Sequence, residues 1–271
     1  MQNIYTKSDI FDQLEAMKLP RDRVVLMHSS LRLIGPIEGG ARGLLDILID
    51  YFTSKGGLFC VPAHTWMNLK KEITLDMTDP HTCLGAFSDF CATDPRGIRT
   101  EHPTHSMVVF GDSVRVEEFV KDDPFVTSCT SPDSCYGKIY EMGGFILLVG
   151  VSHNRNTYLH CVDEMLNIPN RMSDKPKTLT IKRTSGEIIE RQMRIHRCDF
   201  TDDISLRFPK YETPFRYYHA ITDGFLGNAP TQACDARIMK EVMEKIFLSG
   251  GDDPLEGEKP IPPKRYIVHR N

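Results

Sequence analysis

The sequence predicts an α/β domain with a central mixed, partly parallel sheet that is flanked by helices. The first observation is a strand–loop–helix–strand unit, in which apolar runs at 24–27 and 58–61 enclose a glycine-rich turn and an amphipathic segment at 41–52. The second is that two further apolar runs, Met107–Phe110 and Phe145–Val149, alternate with helical segments. Strands that alternate with helices are typical of sheets that are at least partly parallel.

The elements are assigned from apolar periodicity and from residues that begin or end helices. Residues 8–19 have the spacing of an amphipathic helix, with Ser8 expected as the N-cap and Pro20 as the stop. Apolar side chains recur at helical spacing in the segment 41–52, which Gly56 and Gly57 end. The other predicted elements are helices at 114–120, 135–142, about 156 onward and 233–248, and a hairpin with strands at 178–182 and 188–194.

Two polar stretches, 67–105 and 121–133, show little regular pattern and are expected to form long active-site loops. Loops of this length inside a compact domain are usually functional. The C-terminal tail, about 250–271, contains paired glycines and several prolines and is expected to lie on the surface without regular structure. Because no repeat or long linker divides the chain, we predict one domain spanning residues 1–271.

Composition excludes several classes of partner. The chain has 271 residues and a formal net charge of −4, so we expect no nucleic acid and no membrane partner. No apolar run approaches the roughly 18 residues that cross a bilayer, and the first residues lack an apolar signal core. We therefore expect a cytoplasmic protein, whose oligomeric state the sequence leaves open. The 8 cysteines form no Cys-x-x-Cys pair and are expected to be reduced thiols rather than disulfides or zinc ligands.

A polar segment that follows the apolar run Phe145–Val149 contains the most informative pair of residues. His160 and Glu164 are four residues apart, so on a helix both side chains project from one face. An imidazole with a carboxylate one turn away, close to the C-terminal end of a strand, is typical of a general base. The alternative interpretation is an ion pair on the helix surface.

Hydroxyl groups and glycines follow the first predicted strand. They include His28, Ser29, Ser30 and Leu31, then Gly35 in the turn and Gly39 and Gly40 at the start of the next helix. Exposed amides at a helix N-terminus suit a phosphate or pyrophosphate group. The alternative is a strand-to-helix turn that needs glycine only for its backbone conformation.

Two other strands are also next to polar residues. His64 and Trp66 follow the second strand, where the indole is either a wall for a substrate or a half-buried aromatic. His102 and His105 precede the third strand, and we expect hydrogen-bond donors rather than metal ligands, because no acidic cluster accompanies them. These polar residues could equally satisfy the loop backbone. A serine hydrolase is excluded because Gly-x-Ser-x-Gly is absent.

Short motifs occur in a fixed order along nearly the whole chain. They are His28-Ser-Ser-Leu31, Gly39-Gly40, Gly57 to Trp66, Asp79-Pro80 before Leu84-Gly85, Arg99 to Ser106, Gly111, Ser134 to Lys138, Leu147 to Val151, Thr157 to Glu164 and Ile221 to Ala229. This series resembles the aminoglycoside 3-N-acetyltransferase family. The resemblance implies acetyl-CoA as donor, a small-molecule amine as acceptor, no metal cofactor, and an α/β fold distinct from the common GNAT acetyltransferase fold.

The resemblance also implies roles for residues. The general base is His160, supported by Glu164 or by Asp199, which lies near His196. Coenzyme A is expected against His28 to Leu31, Gly35, Gly39 and Gly40, with Ser106 and Ser134 near the thioester and Ser106 a candidate oxyanion donor. The residues expected to bind the acceptor are His64, Trp66, Asp79 and His102.

One departure from the family pattern concerns the acceptor. Aminoglycoside-modifying members tend to place an acidic residue immediately before the tryptophan, and here Thr65 has that position. Three alternatives therefore accompany aminoglycoside acetylation. They are acetylation of a different amine, coenzyme A binding without turnover, and a metal-dependent hydrolase that uses His64, His102, His105 and His160. Other carboxylates that could hold a cationic acceptor are Asp76, Asp79, Asp122 and Asp123.

Overall fold

A seven-stranded mixed sheet forms the centre of the protein in the computed structural model, which describes residues 4–197 and 203–267. The strand order is β4-β5-β2-β1-β6-β10-β9, and a second sheet has the order β3-β7-β8. The strands are β1 (Val24–Ser29), β2 (Leu58–Pro62), β3 (Leu75–Asp76), β4 (Ile98–Arg99), β5 (Met107–Phe110), β6 (Phe145–Val149), β7 (Lys177–Lys182), β8 (Ile188–Met193), β9 (Ile221–Leu226) and β10 (Ala229–Asp235).

The central strand β1 pairs in parallel with both β2 and β6, and the outer pairs of the main sheet are antiparallel. The predicted mixed, partly parallel sheet is therefore confirmed. The predicted hairpin is also confirmed, since β7 and β8 pair antiparallel, although they belong to the smaller sheet.

Helices cover both faces of the main sheet. Val24 and Leu26 of β1 belong to one buried apolar cluster, and Val25 and Met27 belong to the other. This alternation follows from the two-residue period of a strand, and it requires a continuous apolar run in the sequence. The helices are α1 (Lys7–Ala16), α2 (Leu31–Ile34), α3 (Gly40–Thr53), α4 (Ala86–Ala92), α5 (Ser113–Val120), α6 (Cys135–Glu141), α7 (Tyr158–Met165), α8 (Glu212–Tyr217) and α9 (Ala236–Leu248).

Helices α1 and α3 pack on one face of the sheet, and α5, α6, α7 and α9 pack on the other. Among the described residues, no helix is both long enough and apolar enough to cross a membrane. Short 3-10 segments connect several elements. Their ranges are Trp66–Asn68, Asp123–Phe125, His153–Arg155, Ile204–Tyr211 and Pro263–Arg265.

The start of α1 differs from the sequence prediction. Thr6, not Ser8, is the N-cap, because the Asp9 amide donates to the Thr6 hydroxyl at 3.3 Å and the Thr6 amide donates to the Asp9 carboxylate at 2.8 Å. This reciprocal pair is a capping box, and it places Ser8 inside the first helical turn.

Removing the cap should cost measurable stability. Thr6→Ala is expected to lower the free energy of unfolding by about 0.5–2 kcal/mol, because the Asp9 amide loses its hydroxyl partner. Urea denaturation of the purified protein measures the change. Ser8→Ala is the matched control, because it removes a hydroxyl one turn inside the helix. An equal loss in both variants would show that Thr6 is not the cap.

Several elements were not predicted. The predicted loop at 67–105 contains α4 and the two-residue strands β3 and β4, and the segment 204–235 contains α8 and the β9–β10 hairpin. The predicted helix at 233–248 was wrong at its start, because residues 233–235 belong to β10. Asp235 ends the strand and caps α9 by accepting the Ile238 amide at 3.0 Å.

The C-terminal segment is irregular, as predicted, but it does not lie only on the surface. From 250 to 267 its single regular piece is the 3-10 turn Pro263–Arg265. Leu255, Ile261 and Tyr266 are nonetheless buried in the same apolar cluster as α7 and α9. This segment is therefore part of the core that supports the predicted base.

Candidate active site

The C-terminal ends of the parallel strands meet at one edge of the main sheet. Ser29 at the end of β1 pairs with Val149 at the end of β6, and Pro62 at the end of β2 pairs with Met107 at the start of antiparallel β5. Because β1 has parallel neighbours on both sides, its end is the switch point where open α/β sheets bind ligands. The histidines placed at this edge are His28, His64, His105 and His160.

Four imidazoles form a row, which we name the imidazole row: His64, His105, His196 and His160. Ring centroids are 4.7 Å apart for His64 and His105, and 4.9 Å apart for His105 and His196. His196 and His160 are stacked, with centroids 4.1 Å apart and planes inclined by 17°. All four side chains are buried. His64 follows β2, His105 precedes β5 and His196 follows β8. The row therefore connects these three segments to helix α7, which carries His160.

His160 lies on α7 and stands at one end of the row. The edge of its ring also packs against Phe208, at a centroid distance of 4.7 Å. Burial, and then the neighbouring His196, hold the pKa of His160 well below its usual value. Within residues 4–197 and 203–267, the ring makes ring contacts but no hydrogen bond. Such a neutral imidazole retains a lone pair that can accept a proton.

Glu164 lies on the same helix as His160 but is held by a different loop. Its carboxylate accepts the Thr130 amide at 2.8 Å, the Thr130 hydroxyl at 2.6 Å and the Ser128 hydroxyl. One oxygen is 3.7 Å from His196 Nε2. Burial raises the pKa of Glu164, but His196 and the two hydroxyls outweigh it and leave that pKa below its usual value.

The alternative interpretation, an ion pair of His160 and Glu164 on the helix surface, is wrong, because both side chains are buried. The described contacts of Glu164 lead to His160 only through the stacked ring of His196. Asp199, the other predicted carboxylate, lies outside the described residues. Sequence spacing did not reveal that His196 connects Glu164 to His160, because His196 follows a hairpin that is distant in sequence from α7.

Three residues predicted to contact ligands have fully buried side chains, and their polar atoms bind other protein groups. His102 Nδ1 accepts the amides of Thr104 and His105, at 3.3 and 2.9 Å. The Ser106 hydroxyl donates to the Ala63 carbonyl at 2.5 Å, and its role as an oxyanion donor stays a prediction. The Ser134 hydroxyl donates to the Ser131 carbonyl at 2.6 Å, and it caps α6.

His64, Trp66 and Asp79 lie close to one another in the chain beyond β2. His64 Nε2 is 2.7 Å from the Tyr136 hydroxyl, and burial holds the pKa of His64 well below its usual value. Trp66 is half-buried in a 3-10 turn. Asp79 is partly exposed and accepts the His81 amide at 2.9 Å. Its carboxylate therefore has access to solvent, as a contact with a cationic acceptor requires.

The predicted coenzyme segment lies at the end of β1. His28 is buried, and its Nε2 has no hydrogen-bond partner among the described residues. Burial, and then the charge of Arg155, lower the pKa of His28 to about 3. Gly39 and Gly40 have φ of 75° and 63°, so the turn before the 14-residue helix α3 requires glycine. The same turn leaves the first amides of α3 without side-chain caps.

Comparison with known proteins gives the family. A model of the aminoglycoside 3-N-acetyltransferase family matches residues 26–248. Aminoglycoside N(3)-acetyltransferase IV from Salmonella sp is 32% identical over 170 residues, which are 62% of this chain and 62% of that enzyme. The chain therefore spans just under two thirds of that relative. The aminoglycoside N(3')-acetyltransferase-like protein YokD from Bacillus subtilis is 25% identical over 90% of this chain and 93% of its own.

Solved structures show the same fold. A mutant of aminoglycoside acetyltransferase AAC(3)-IVa in complex with apramycin matches with a TM-score of 0.75 and 26% identity, covering 99% of both chains. AAC-IIIb in a binary complex with CoASH has a TM-score of 0.71 and 20% identity, covering 88% of this chain and 94% of that one. The family match extends over most of the sequence and includes every strand end that carries the site. The chain belongs to the aminoglycoside 3-N-acetyltransferase family.

Proposed function

We propose that the protein transfers the acetyl group of acetyl-CoA to the 3-amino group of a 2-deoxystreptamine aminoglycoside. The family match over residues 26–248 carries this proposal, since it includes His160. Relatives are named aminoglycoside N(3)-acetyltransferases, and their solved complexes contain apramycin in one case and CoASH in another. Because acetyl-CoA is an intracellular metabolite, we place the reaction in the cytoplasm.

His160 supplies the base. An ammonium group has no lone pair, so the acceptor must lose a proton before or during its attack on the thioester carbon. The ammonium first releases one proton to solvent, and neutral His160 takes the second proton from the nitrogen while the new C–N bond forms. The tetrahedral intermediate then breaks its C–S bond, and the imidazolium proton goes to the departing coenzyme A sulfur. After these steps His160 is neutral again.

Direct attack is favoured over an acyl-enzyme. The cysteine nearest in sequence, Cys161, is buried, and burial raises the pKa of its thiol well above the usual value. A nucleophilic cysteine needs a lowered pKa, so Cys161 is a poor acyl carrier. Placing both substrates in one cleft replaces the covalent step, because proximity removes much of the entropic barrier.

The planes of two neighbouring rings orient the base. His196 stacks on one face of His160, and Phe208 contacts the same ring in a T-shaped arrangement. Thr130 links His196 to Glu164, since its hydroxyl is 2.9 Å from His196 Nε2 and donates to the carboxylate. Glu164 thereby acts as a positioning residue that works through His196.

For the coenzyme, we propose a site along His28 to Leu31, Gly35, Gly39 and Gly40. The N-terminus of α3 offers uncapped amides, which favour an anionic pyrophosphate. The exposed guanidinium of Arg155 is near enough to influence His28 and adds positive charge at the same strand end. The unpartnered Nε2 of His28 is a further polar atom that a bound group could satisfy.

A different amine is the second candidate acceptor, and Thr65 favours it. The Thr65 side chain is buried and donates to the Pro103 carbonyl at 2.9 Å, so this position offers no charge to a polycationic substrate. Asp79, with its partly exposed carboxylate, is the proposed contact for an ammonium group beside Trp66 and His64. One carboxylate selects for an amine but not for a particular aminoglycoside.

A product screen tests both candidates. The purified protein is incubated with acetyl-CoA and with apramycin, gentamicin, kanamycin, simple polyamines or amino acid amides, and mass spectrometry detects acetylated product. We expect acetylation of at least one 2-deoxystreptamine compound, with the site located by NMR. Product with other amines alone would reject the aminoglycoside assignment. Calorimetric binding of coenzyme A without any product would support a binding protein instead.

A further inference from the structure

We propose that His105, Cys129 and His196 form a binding site for a zinc-type divalent metal ion. One ligand atom from each residue lies within 4.8 Å of the others, and all three side chains are buried. The ligands come from the loop before β5, the loop between α5 and α6, and the segment after β8. This inference is independent of the proposed acetyl transfer, and it revises the sequence prediction that cysteines and histidines bind no metal.

The donor set suits zinc. Imidazole nitrogens and a thiolate are its usual protein ligands, whereas magnesium and calcium prefer oxygen. Bond lengths of about 2.0–2.3 Å place neighbouring ligand atoms of a tetrahedral site roughly 3.3–3.8 Å apart. The ligand atoms therefore need to approach one another by at most roughly 1.5 Å when the ion binds. Three protein ligands leave one tetrahedral position for water or another group.

The hydrogen bonds of His196 leave the required lone pair. Thr130 has one hydroxyl proton, which it donates to Glu164 at 2.6 Å. The Thr130 oxygen must therefore accept at its other contact, so His196 Nε2 carries a proton. In the neutral ring, Nδ1 is then unprotonated and available to a metal. Fixing a histidine through its other nitrogen is typical of the groups that surround metal ligands.

Thr104 provides the same support for the other two ligands. Its hydroxyl oxygen is 2.8 Å from His105 Nδ1 and 3.3 Å from Cys129 Sγ. When this hydroxyl donates to the sulfur, it accepts from Nδ1, which leaves His105 Nε2 unprotonated. One threonine thereby contacts the Cys129 sulfur and favours a metal-binding tautomer at His105.

Charge balance also favours a cation. Metal binding releases the Cys129 thiol proton to solvent, so a divalent ion with one thiolate has a net charge of +1. Glu164, connected to His196 through Thr130, adds a buried negative charge. Among the described residues, the ion pairs of Glu164 involve His196 and no lysine or arginine. An ion in the site would therefore place positive charge near this carboxylate.

The filled site would hold His196 in the plane that stacks on His160. The three ligands belong to different segments of the chain. Among the described residues, backbone hydrogen bonds join the segments of Cys129 and His196 through the pairing of residues 128 and 194 and through neighbouring amides. A metal ion would connect these segments beside the proposed base. The ion would thereby position His196, and its binding can be measured without any turnover.

Cobalt binding tests the site directly. The protein is stripped of metal with a chelator and titrated with Co²⁺, while absorption spectroscopy follows the thiolate-to-cobalt charge-transfer band and the visible bands of tetrahedral cobalt. We expect one equivalent to bind, both bands to appear, and Zn²⁺ to displace the cobalt. Absence of stoichiometric binding, or visible bands without thiolate charge transfer, would overturn the proposal.

Variants locate the ligands. Cys129→Ser should abolish the charge-transfer band, whereas Cys91→Ser, which alters a buried cysteine on the other face of the sheet, should retain it. His105→Gln should weaken Co²⁺ binding at least tenfold. Circular dichroism verifies that each variant is folded. Because two ligands are tested separately, a variant that fails to fold leaves the other to decide the result. Retention of the band in Cys129→Ser, or unchanged affinity in His105→Gln, contradicts the assignment.

Discussion

Replacing His160 with asparagine is expected to lower kcat by about 10²–10⁴-fold, because the variant has no group that can accept the proton of the acceptor amine. Coenzyme A affinity should remain the same, since the proposed coenzyme segment lies at the end of β1 and not on α7. Asparagine keeps a polar side chain of similar reach next to Phe208 and His196. Steady-state kinetics with the amine found in the screen measure kcat, and calorimetry measures coenzyme binding.

The matched control is His219→Asn. His219 ends α8 in a left-handed backbone conformation with φ of 57°, which asparagine tolerates, and it takes no part in the imidazole row. Its kcat should equal that of the unmodified protein. If His160→Asn also retains full activity, His160 is not the base. If it loses coenzyme affinity together with activity, its main contribution is structural.

Replacing Arg171 with methionine is expected to lower the free energy of unfolding by about 3–5 kcal/mol, the usual cost of removing one partner from a buried ion network. The Arg171 side chain is only 6% exposed and binds Asp163 at 3.1 Å and Asp253 at 2.6 Å. Without the guanidinium, two carboxylates would remain close together with no cation between them. Methionine fills a similar volume, so the lower free energy of unfolding results from removing the charge and not from creating a cavity.

Thermal unfolding should reveal the change as a decrease in Tm on the order of 10 °C for a chain of this size. Arg216→Met is the control, because Arg216 also pairs with two carboxylates, Glu212 and Asp223, but its side chain is 40% exposed. Exposed pairs are worth about 0–1 kcal/mol, so this control should change little. Equal effects in both variants would show that the Arg171 network contributes no more than a surface pair.

The sheet was predictable where strands are buried on both faces. β5 and β6 have the bounds that their apolar runs indicated, because such strands leave no polar position to confuse the pattern. β9 was not predicted, since it is an edge strand that exposes Thr222 and Asp223 and contains Gly224. Its pairing with β10, and not its own composition, makes it a strand.

The candidate site was predictable in part for the same reason. His28, His64 and His160 each stand at or beyond the end of an apolar strand, so the sequence located them at one edge. His196 could not be located in this way, because it follows the β7–β8 hairpin and its contact with His160 joins segments that are distant in sequence. Nor could the sequence show that the Ser106 hydroxyl donates to the Ala63 carbonyl, since a buried carbonyl acceptor has no signature in the sequence.

The link between α7 and the C-terminal segment bears on how the protein is made. Arg171 joins Asp163 of the base-carrying helix to Asp253, and Leu255, Ile261 and Tyr266 complete the apolar cluster under that helix. A ribosome delivers the chain from its N-terminus at about 5–20 residues per second, so these partners emerge seconds after His160. The surroundings of His160 are thus completed only after residue 253 has been synthesised, and a nascent chain that stops earlier has an unfinished site.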